Sequence, residues 1–353
     1  MSSSSLHVGI LTGGGDCPGL NAVIRGVTNS LIKTVGARVT GIERGFMGMI
    51  ERRSRPLDSE AVAGILNQGG TILGTHNFAN PFSCNGVDVS DKVMEYVREL
   101  GLDALVAIGG DGTMSIANRF TPLGLPVVGV PKTIDNDLMH TERTFGFDSA
   151  VAIVAEALAR LETTARSHGR VMVLETMGRY AGWIALEGGL AGGADVILIP
   201  EKPYDLNEVI RVCKEREKKQ GYTLICIAEG ARPIDGGMVV AKHLENSPDP
   251  IRLGGVGNVL RQQLEQHLES EVRTTQLGHV QRGGTPTPYD RVLATRFGWY
   301  AAKMVANGEF GRMVVLKGDE CASVPIEDVA NRTRNVPMPN ITMAASTHMV
   351  SLA

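Results

Sequence analysis

The chain has 353 residues, of which 43% are hydrophobic and 21% are charged. This length favours two domains, and the composition is typical of a globular enzyme and excludes a disordered chain. The formal net charge of −3 argues against a nucleic-acid-binding surface, because such surfaces are basic.

The chain has no basic, apolar leader and no uninterrupted apolar run of about 18 residues, so we expect neither a signal peptide nor a membrane partner. Its five cysteines form no CxxC pair, which favours reduced thiols over disulfides or a zinc site. We therefore expect a cytoplasmic protein.

Short apolar runs alternate with helical patterns along most of the chain. We predict buried strands at His7–Thr12, Ala104–Ile108, Pro126–Val130, Val171–Leu174, Val196–Ile199 and Thr223–Ala228. One helix is expected to have Ser90 as its N-cap and to stop at Gly101, and another carries apolar residues at a spacing of four from Val256 to Leu268. Strands separated by helices indicate right-handed crossovers, and therefore an α/β fold with a mostly parallel sheet.

Three predicted strands of the N-terminal half run into loops rich in glycine or acidic residues, with the sequences TGGGDCPGLN, GGDGT and PKTIDND. Ligands of open α/β sheets bind at such carboxyl ends. Consecutive glycines let backbone N–H groups approach a phosphate, and a carboxylate among glycines suits Mg²⁺ beside a polyphosphate. Two acids two residues apart suggest a base and a metal-linked acid. One such loop is more often a simple turn, but three at successive strand ends are hard to explain as turns.

Other nucleotide motifs fit less well. The chain has no Walker A sequence, and Pro18 occupies the position where a dinucleotide fingerprint beginning at Gly13 requires its third glycine. A dehydrogenase also has no need for GGDGT.

The second half of the chain contributes cations. Arg170 precedes the strand that ends in ETMGR, and Arg273 comes shortly before LGHVQRGG. Arginines in glycine-flanked loops suit bidentate recognition of phosphate, although each one taken alone could equally form a surface ion pair.

Taken in order, the sequences GGGDCPGLNAVIRG, GGDGT, PKTIDND, ETMGRYAGW, IAEG and LGHVQRGGTPTPYDR resemble the 6-phosphofructokinases, from about His7 to Phe310. PKTIDND and GHVQRGG are specific, whereas GGDGT also occurs in NAD kinases and diacylglycerol kinases. The resemblance implies two doubly wound, Rossmann-like α/β domains with mostly parallel sheets and an active site in the cleft between them. Residues 1–146 and 282–334 would bind the phosphoryl donor, 147–281 the sugar phosphate, and 335–353 would be a C-terminal tail.

The resemblance implies that the N-terminal half carries the donor and metal chemistry. Asp135 would accept the proton of the sugar 1-hydroxyl, with Thr133 and Lys132 beside it. Asp111 would bind Mg²⁺, with Asp137 nearby. The loops that meet the donor phosphates contain Gly14, Gly15, Gly112 and Thr113.

The resemblance also implies the acceptor site. Arg179 would stabilise the transferring phosphoryl group, and Met177, Gly178 and Glu229 would contact the sugar. The 6-phosphate would be bound by His279 and Arg282, and from a neighbouring subunit by Arg170 and Arg273. We therefore expect a homodimer or homotetramer with shared active sites.

The identity of the donor depends on a few positions. Gly112 leaves room for the α-phosphate of ATP, where pyrophosphate-dependent relatives carry Asp, but Lys132 is the residue typical of pyrophosphate users. Some ATP users combine both, so ATP is favoured. The segment after Gly74 lacks the arginine that often bridges the phosphates in this family, and Lys132 is the nearest substitute. Phe46 and Phe78 could stack on adenine or belong to the core.

The function implied is phosphorylation of fructose 6-phosphate to fructose 1,6-bisphosphate in glycolysis, with ATP more probable than pyrophosphate as the donor. Pyrophosphate-dependent transfer and a kinase for a related sugar phosphate, such as sedoheptulose 7-phosphate, remain open. An NAD-kinase-like or lipid kinase would not need the basic loops of the second half. A non-catalytic sugar-phosphate-binding protein would be expected to lack Asp111 or Asp135.

Overall fold

Strands and helices alternate along the chain in a computed structural model that describes residues 5–243, 251–347 and 349–350. The strands are β1 (His7–Thr12), β2 (Arg38–Ile42), β3 (Ser54–Leu57), β4 (Ala104–Gly109), β5 (Val127–Pro131), β6 (Val171–Thr176), β7 (Val196–Leu198), β8 (Thr223–Ala228), β9 (Val240–His243), β10 (Ile251–Leu253), β11 (Val272–Gln276), β12 (Arg312–Lys317), β13 (Glu320–Pro325) and β14 (Met349–Val350). The helices are α1 (Leu20–Val35), α2 (Phe46–Glu51), α3 (Ser90–Leu100), α4 (Asp111–Phe120), α5 (Phe147–His168), α6 (Trp183–Ala191), α7 (Leu206–Lys219), α8 (Val256–Glu265), α9 (Pro288–Asn307) and α10 (Met338–Thr347).

The chain divides into two units. Unit 1 contains the described residues up to Thr133, with Leu138–Gly146 and Arg282–Thr333. Unit 2 contains Ile134–Asp137, Phe147–Gln281 and the described residues from Arg334 onward. The segment that we set apart as a tail therefore groups with unit 2, where it forms α10 and β14.

Unit 1 is built on a seven-stranded sheet in the order β13-β12-β5-β4-β1-β2-β3. The strands are parallel except for β3 and β13, which are antiparallel and close the two edges. The central strands β1 and β4 are buried along their whole length. Chain order reverses between these two strands, and such a switch point is where doubly wound sheets bind ligands.

Unit 2 is built on a five-stranded parallel sheet in the order β11-β6-β8-β7-β14. Strands β9 and β10 form a separate antiparallel pair. The sheet buries continuous apolar runs in β6 and β8, as expected for parallel strands covered on both faces.

The predicted fold class, α/β with doubly wound and mostly parallel sheets, is confirmed. The six predicted strands are β1 and β4 to β8, with ends shifted by at most two residues. The prediction for Ser90 is wrong: it is the first residue of α3, and its N–H group donates to Asp88 Oδ1 at 2.9 Å, so Asp88 satisfies this helix end. Leu268 lies beyond the end of α8 but still packs against the apolar core of unit 2. None of the helices in the described ranges is long and apolar enough to cross a bilayer.

Candidate active site

The loop after β1 is shaped by its glycines. Gly13 donates a backbone hydrogen bond to the carbonyl of Ile108 in β4 at 2.9 Å, and Gly14 has a left-handed backbone with φ of 76°. A Cβ atom on Gly13 would lie 2.5 Å from Thr113 Oγ1, so only glycine fits here. Thr113 is 5% exposed and packs under this loop.

The loop after β4 leads directly into α4. Asp111 is the first residue of that helix, and its Oδ1 accepts a hydrogen bond from the backbone N–H of Asn331 at 2.6 Å. Gly112 follows it and is exposed, and a Cβ atom built on it would meet no atom within 4 Å. The N-terminal end of α4 therefore combines a carboxylate, the positive end of a helix dipole and open space.

Two cations flank Gly15. The buried Lys132 donates its ammonium to the Gly15 carbonyl, and its backbone N–H donates to the Gly109 carbonyl at 2.9 Å. The side chain of Arg282, from a distant part of the chain, packs against this loop. Its Nη1 would lie 1.8 Å from a Cβ atom built on Gly15. Burial raises the pKa of the adjacent Cys17 thiol, with Lys132 opposing the shift, so this thiol stays protonated. The glycine loop thus lies beside two positively charged side chains, and such a setting suits an anion site.

The segment after Gly74 is tied to the same loop, because the Thr75 hydroxyl donates to the Gly14 carbonyl. Phe78 is 47% exposed and lies edge-on to His76, so the alternative that Phe78 belongs to the core is wrong. Phe46, in contrast, is buried and stacks on Phe120 with ring centroids 6.0 Å apart.

The segment after β5 carries the predicted base. Asp135 and Asn136 are both buried, and Asn136 has a left-handed backbone with φ of 53°. The Thr133 carbonyl accepts a hydrogen bond from the Thr144 hydroxyl at 2.7 Å. The carbonyl of Asp137 accepts a hydrogen bond from the backbone N–H of Arg334 at 2.7 Å. Sequence reasoning missed Arg334, which lies about 200 residues along the chain from this segment.

The loop after β6 holds the predicted sugar contacts of unit 2. Gly178 and Arg179 have positive φ angles of 137° and 53°, and the Arg179 N–H donates to Glu229 Oε1 at 3.0 Å. Burial raises the pKa of Glu229 to about 7; the Arg179 N–H opposes this shift, and the neighbouring Asp135 and Glu175 carboxylates add to it. In unit 2, Asp135 and Arg179 are therefore close enough to Glu229 for their charges to affect its pKa.

Gln281 and Glu175 support this region, and neither was singled out from the sequence. Gln281 is fully buried; its Oε1 accepts from the Met177 N–H at 3.3 Å, and its Nε2 donates to the Gly278 carbonyl at 3.1 Å. It thereby ties the loop after β6 to the exposed turn that carries His279. Glu175 is 1% exposed and accepts hydrogen bonds from the N–H groups of Gly255 and Gly257 at 2.9 and 2.8 Å, which anchors the start of α8. Glu175 could have been noticed in the sequence, because it is an acidic residue at the end of an otherwise apolar strand.

Arg170 and Arg273 lie at the other end of the unit 2 sheet. Both pair with Glu271, at the amino ends of the parallel strands β6 and β11. The six residues of β6 span about 20 Å at about 3.3 Å per residue, so these arginines are remote from the loop of Met177 within one chain.

A magnesium ion is compatible with this arrangement. No group of three or more His, Cys, Asp or Glu side chains that could hold a metal occurs within the described ranges. Mg²⁺ beside phosphates needs only one or two carboxylates, because water and phosphate oxygens complete its shell. Asp111 can supply such a carboxylate. It is the first residue of α4, and this helix packs against the glycine loop after β1 through Thr113.

Comparison with known proteins identifies the family. The family model described as Phosphofructokinase matches residues 7–305. ATP-dependent 6-phosphofructokinase 2 of Clostridium perfringens is 51% identical, with 93% of each chain covered. The pyrophosphate–fructose 6-phosphate 1-phosphotransferase of Streptomyces coelicolor is 49% identical, with 94% of this chain and 96% of the relative covered. The solved T-state phosphofructokinase of Pichia pastoris is 30% identical with a TM-score of 0.80; the match covers 93% of this chain but only 35% of that longer chain.

These matches extend over nearly all of the chain, and the fold agrees with that of the solved relative. The protein is an α/β enzyme of the phosphotransferase class. It belongs to the phosphofructokinase family.

Proposed function

We propose that the protein transfers a phosphoryl group to the 1-hydroxyl of fructose 6-phosphate, giving fructose 1,6-bisphosphate in glycolysis, with ATP as the preferred donor. The observation that carries this proposal is the placement of Asp135. It is buried directly after β5 and is an electrostatic neighbour of Glu229, which in turn accepts the N–H of Arg179. Phosphoryl transfer to a sugar hydroxyl uses a carboxylate base and a cation, for which Asp135 and Arg179 are the candidates, and Glu229 is the acid that would bind the sugar beside them.

In the proposed mechanism, Asp135 takes the proton of the 1-hydroxyl as that oxygen attacks the terminal phosphoryl group of ATP, and the bond from that phosphorus to the bridging oxygen breaks, which releases ADP. Thr133 lies on the same segment, and Arg179 stabilises the charge that develops on the transferring group. The backbone N–H groups of Gly14 and Gly15 bind the donor phosphates, where Lys132 supplies a fixed positive charge. Most of the catalysis then comes from positioning and charge stabilisation.

The metal and the adenine would be held by the remaining residues of the donor site. Asp111, with Asp137 as a second carboxylate, would hold Mg²⁺, which when bound neutralises phosphate charge. Thr113 supports the glycine loop from α4, and the exposed Phe78 ring is available for stacking on adenine.

Two features bear on the donor. The open space at Gly112 supports ATP, because a further phosphate and nucleoside need room and an absence of negative charge there. Lys132 supports the second candidate, a pyrophosphate-dependent enzyme, because its ammonium compensates a compact, highly charged donor. We give Gly112 more weight, because a lysine excludes no nucleotide whereas a carboxylate would.

The acceptor site would be shared between subunits. Met177, Gly178 and Glu229 would contact the sugar, and His279 and Arg282 would bind its 6-phosphate. Arg170 and Arg273 lie at the far ends of their strands, so they would serve that phosphate in a neighbouring subunit of a homodimer or homotetramer. All five cysteines are free thiols, which supports a reducing, cytoplasmic location.

The test is steady-state turnover of fructose 6-phosphate with Mg²⁺, with ATP and pyrophosphate supplied separately. Asp135→Asn keeps the side-chain shape and removes the base, so we expect kcat to fall by about 10²–10⁴-fold. Asp91→Asn, a change of the same kind in the first turn of α3, is the matched control. Turnover with pyrophosphate alone would select the second candidate. Full activity of Asp135→Asn, or turnover only with sedoheptulose 7-phosphate, would contradict the proposal.

A further inference from the structure

We infer that Arg334 is a positioning residue that holds the Asp135 segment in its working geometry. This inference rests on the proposed function, in which Asp135 is the base. Arg334 does not belong to any of the motifs that carry the family resemblance, and it lies beyond residues 7–305, which match the family model.

Arg334 makes three hydrogen bonds to the two residues after Asp135. Its Nη2 and Nε donate to the Asn136 carbonyl at 2.8 and 3.2 Å. Its backbone N–H donates to the Asp137 carbonyl at 2.7 Å. Two successive peptide groups are therefore fixed by a single residue from the far end of the chain.

The segment needs such support, because its backbone is unusual. Asn136 is 1% exposed and adopts a left-handed conformation, which is uncommon outside glycine. Without Arg334 the Asn136 carbonyl would lose two hydrogen bonds from a charged donor, and hydrogen bonds of this kind are stronger than neutral ones. The segment would then relax, and Asp135, whose own peptide group adjoins Asn136, would move with it.

Arg334 is itself held in place by α6. Its guanidinium lies over the Trp183 ring, 4.2 Å from the centroid, and Trp183 Nε1 donates to the Arg334 carbonyl at 2.9 Å. Two residues later, the Val336 N–H donates to Glu201 Oε1 at 2.9 Å, and Glu201 also accepts the N–H of Gly182.

These contacts link two parts of the proposed chemistry. The loop that carries Arg179 ends at Gly182, where α6 begins with Trp183. Arg334 connects this point to the segment of Asp135. The side chain that positions the base is therefore also packed against the loop that positions the phosphoryl-stabilising arginine.

The test compares Arg334→Ala with Arg334→Lys in the full-length protein. Because the hydrogen bonds described above join Arg334 to backbone carbonyls of the Asp135 segment, we expect Arg334→Ala to lower kcat by about 10–100-fold while both KM values stay within about threefold; misplacement by about 1 Å has effects of this size. Lysine can donate to a carbonyl but lacks the planar fork, so Arg334→Lys should recover part of kcat. Arg332→Ala removes the same charge from an exposed position two residues away and should match the wild type.

Two further measurements separate the possible failures. Amide hydrogen exchange at residues 134–137 should become faster in Arg334→Ala, whether or not fructose 6-phosphate is the substrate. If Arg334→Ala does not fold, Trp183→Phe keeps an aromatic ring, removes one hydrogen bond to Arg334 and should show the same pattern more weakly. Unchanged kcat and unchanged exchange would overturn the inference, as would losses confined to KM. A wild-type protein inactive on fructose 6-phosphate would count against the proposed function instead, and faster exchange would still support the role of Arg334.

Discussion

Gly112→Asp is the substitution that most directly tests donor choice. Gly112 is the second residue of α4, its backbone is not left-handed, and a Cβ atom there meets nothing within 4 Å. The Cβ atom of an Asp at this position therefore has room, and the position is exposed, so the carboxylate can extend toward solvent. A negative charge at a helix N-terminus contributes about 0.3–1 kcal/mol, partly offset by repulsion from Asp111, so the melting temperature should be unchanged or slightly higher.

The effect on ATP follows from Coulomb's law. Two like charges about 4 Å apart repel by about 1 kcal/mol in bulk water and by about 4 kcal/mol at an effective dielectric constant of about 20. Gly112 is exposed, so the lower part of this range applies. At about 1.4 kcal/mol per tenfold change, we expect kcat/KM for ATP to fall by about 5- to 50-fold, and the ratio of pyrophosphate to ATP activity to rise.

The assay measures kcat/KM for ATP and pyrophosphate at saturating fructose 6-phosphate in Gly112→Asp, Gly112→Asn and Gly112→Ala. Asn has the bulk of Asp without its charge, and Ala adds only a methyl group. If charge dominates, Asn should lie near Ala; if bulk dominates, it should lie near Asp. Retention of ATP activity within twofold in Gly112→Asp would refute the argument that this position selects the donor.

The remaining predictions concern pH and the glycine loop. The pKa of Glu229 is raised to about 7 from 4.5, so the folded state holds this proton more tightly than the unfolded state and stability falls as pH rises from about 4.5 to 7. Glu229→Gln should remove that slope from the melting temperature measured between pH 5 and 8, and an unchanged slope would contradict the burial argument. In Gly15→Ala the new Cβ atom would displace the Arg282 guanidinium. A long side chain can move aside, so the melting temperature should stay near that of the wild type while kcat/KM falls by about tenfold or more; Gly237→Ala, where a Cβ atom meets nothing, is the control.

The sequence predicted the parts of this protein that depend on local pattern. Buried parallel strands are continuous apolar runs, so β1, β4 and β8 could be recognised directly. Glycine-rich loops after β1 and β4 indicated a phosphate site, and the structure explains two of these glycines by the packing of Thr113 against Gly13 and Gly109.

Interactions between distant parts of the chain could not be predicted in this way. Gln281 and Arg334 act through hydrogen bonds to backbone atoms more than 100 residues away, and backbone acceptors have no sequence signature. The helix start at Ser90 was misplaced for a related reason: both Ser90 and Asp88 suit a helix start, and only geometry shows that the Asp88 carboxylate accepts the hydrogen bond.

Overall similarity cannot identify the donor, and the reason is physical. Relatives named for ATP and for pyrophosphate are 51% and 49% identical to this chain over more than nine-tenths of its length. The two sheets and their helices can serve either donor, so an identity averaged over the whole chain does not distinguish the donors. In our proposal, donor choice depends on charge and space at Gly112 and Lys132, and a change at two residues out of 353 hardly alters the overall identity. Under that proposal a local electrostatic difference would reverse donor preference within one fold, which is why substitution at Gly112 is more informative than any further comparison of whole chains.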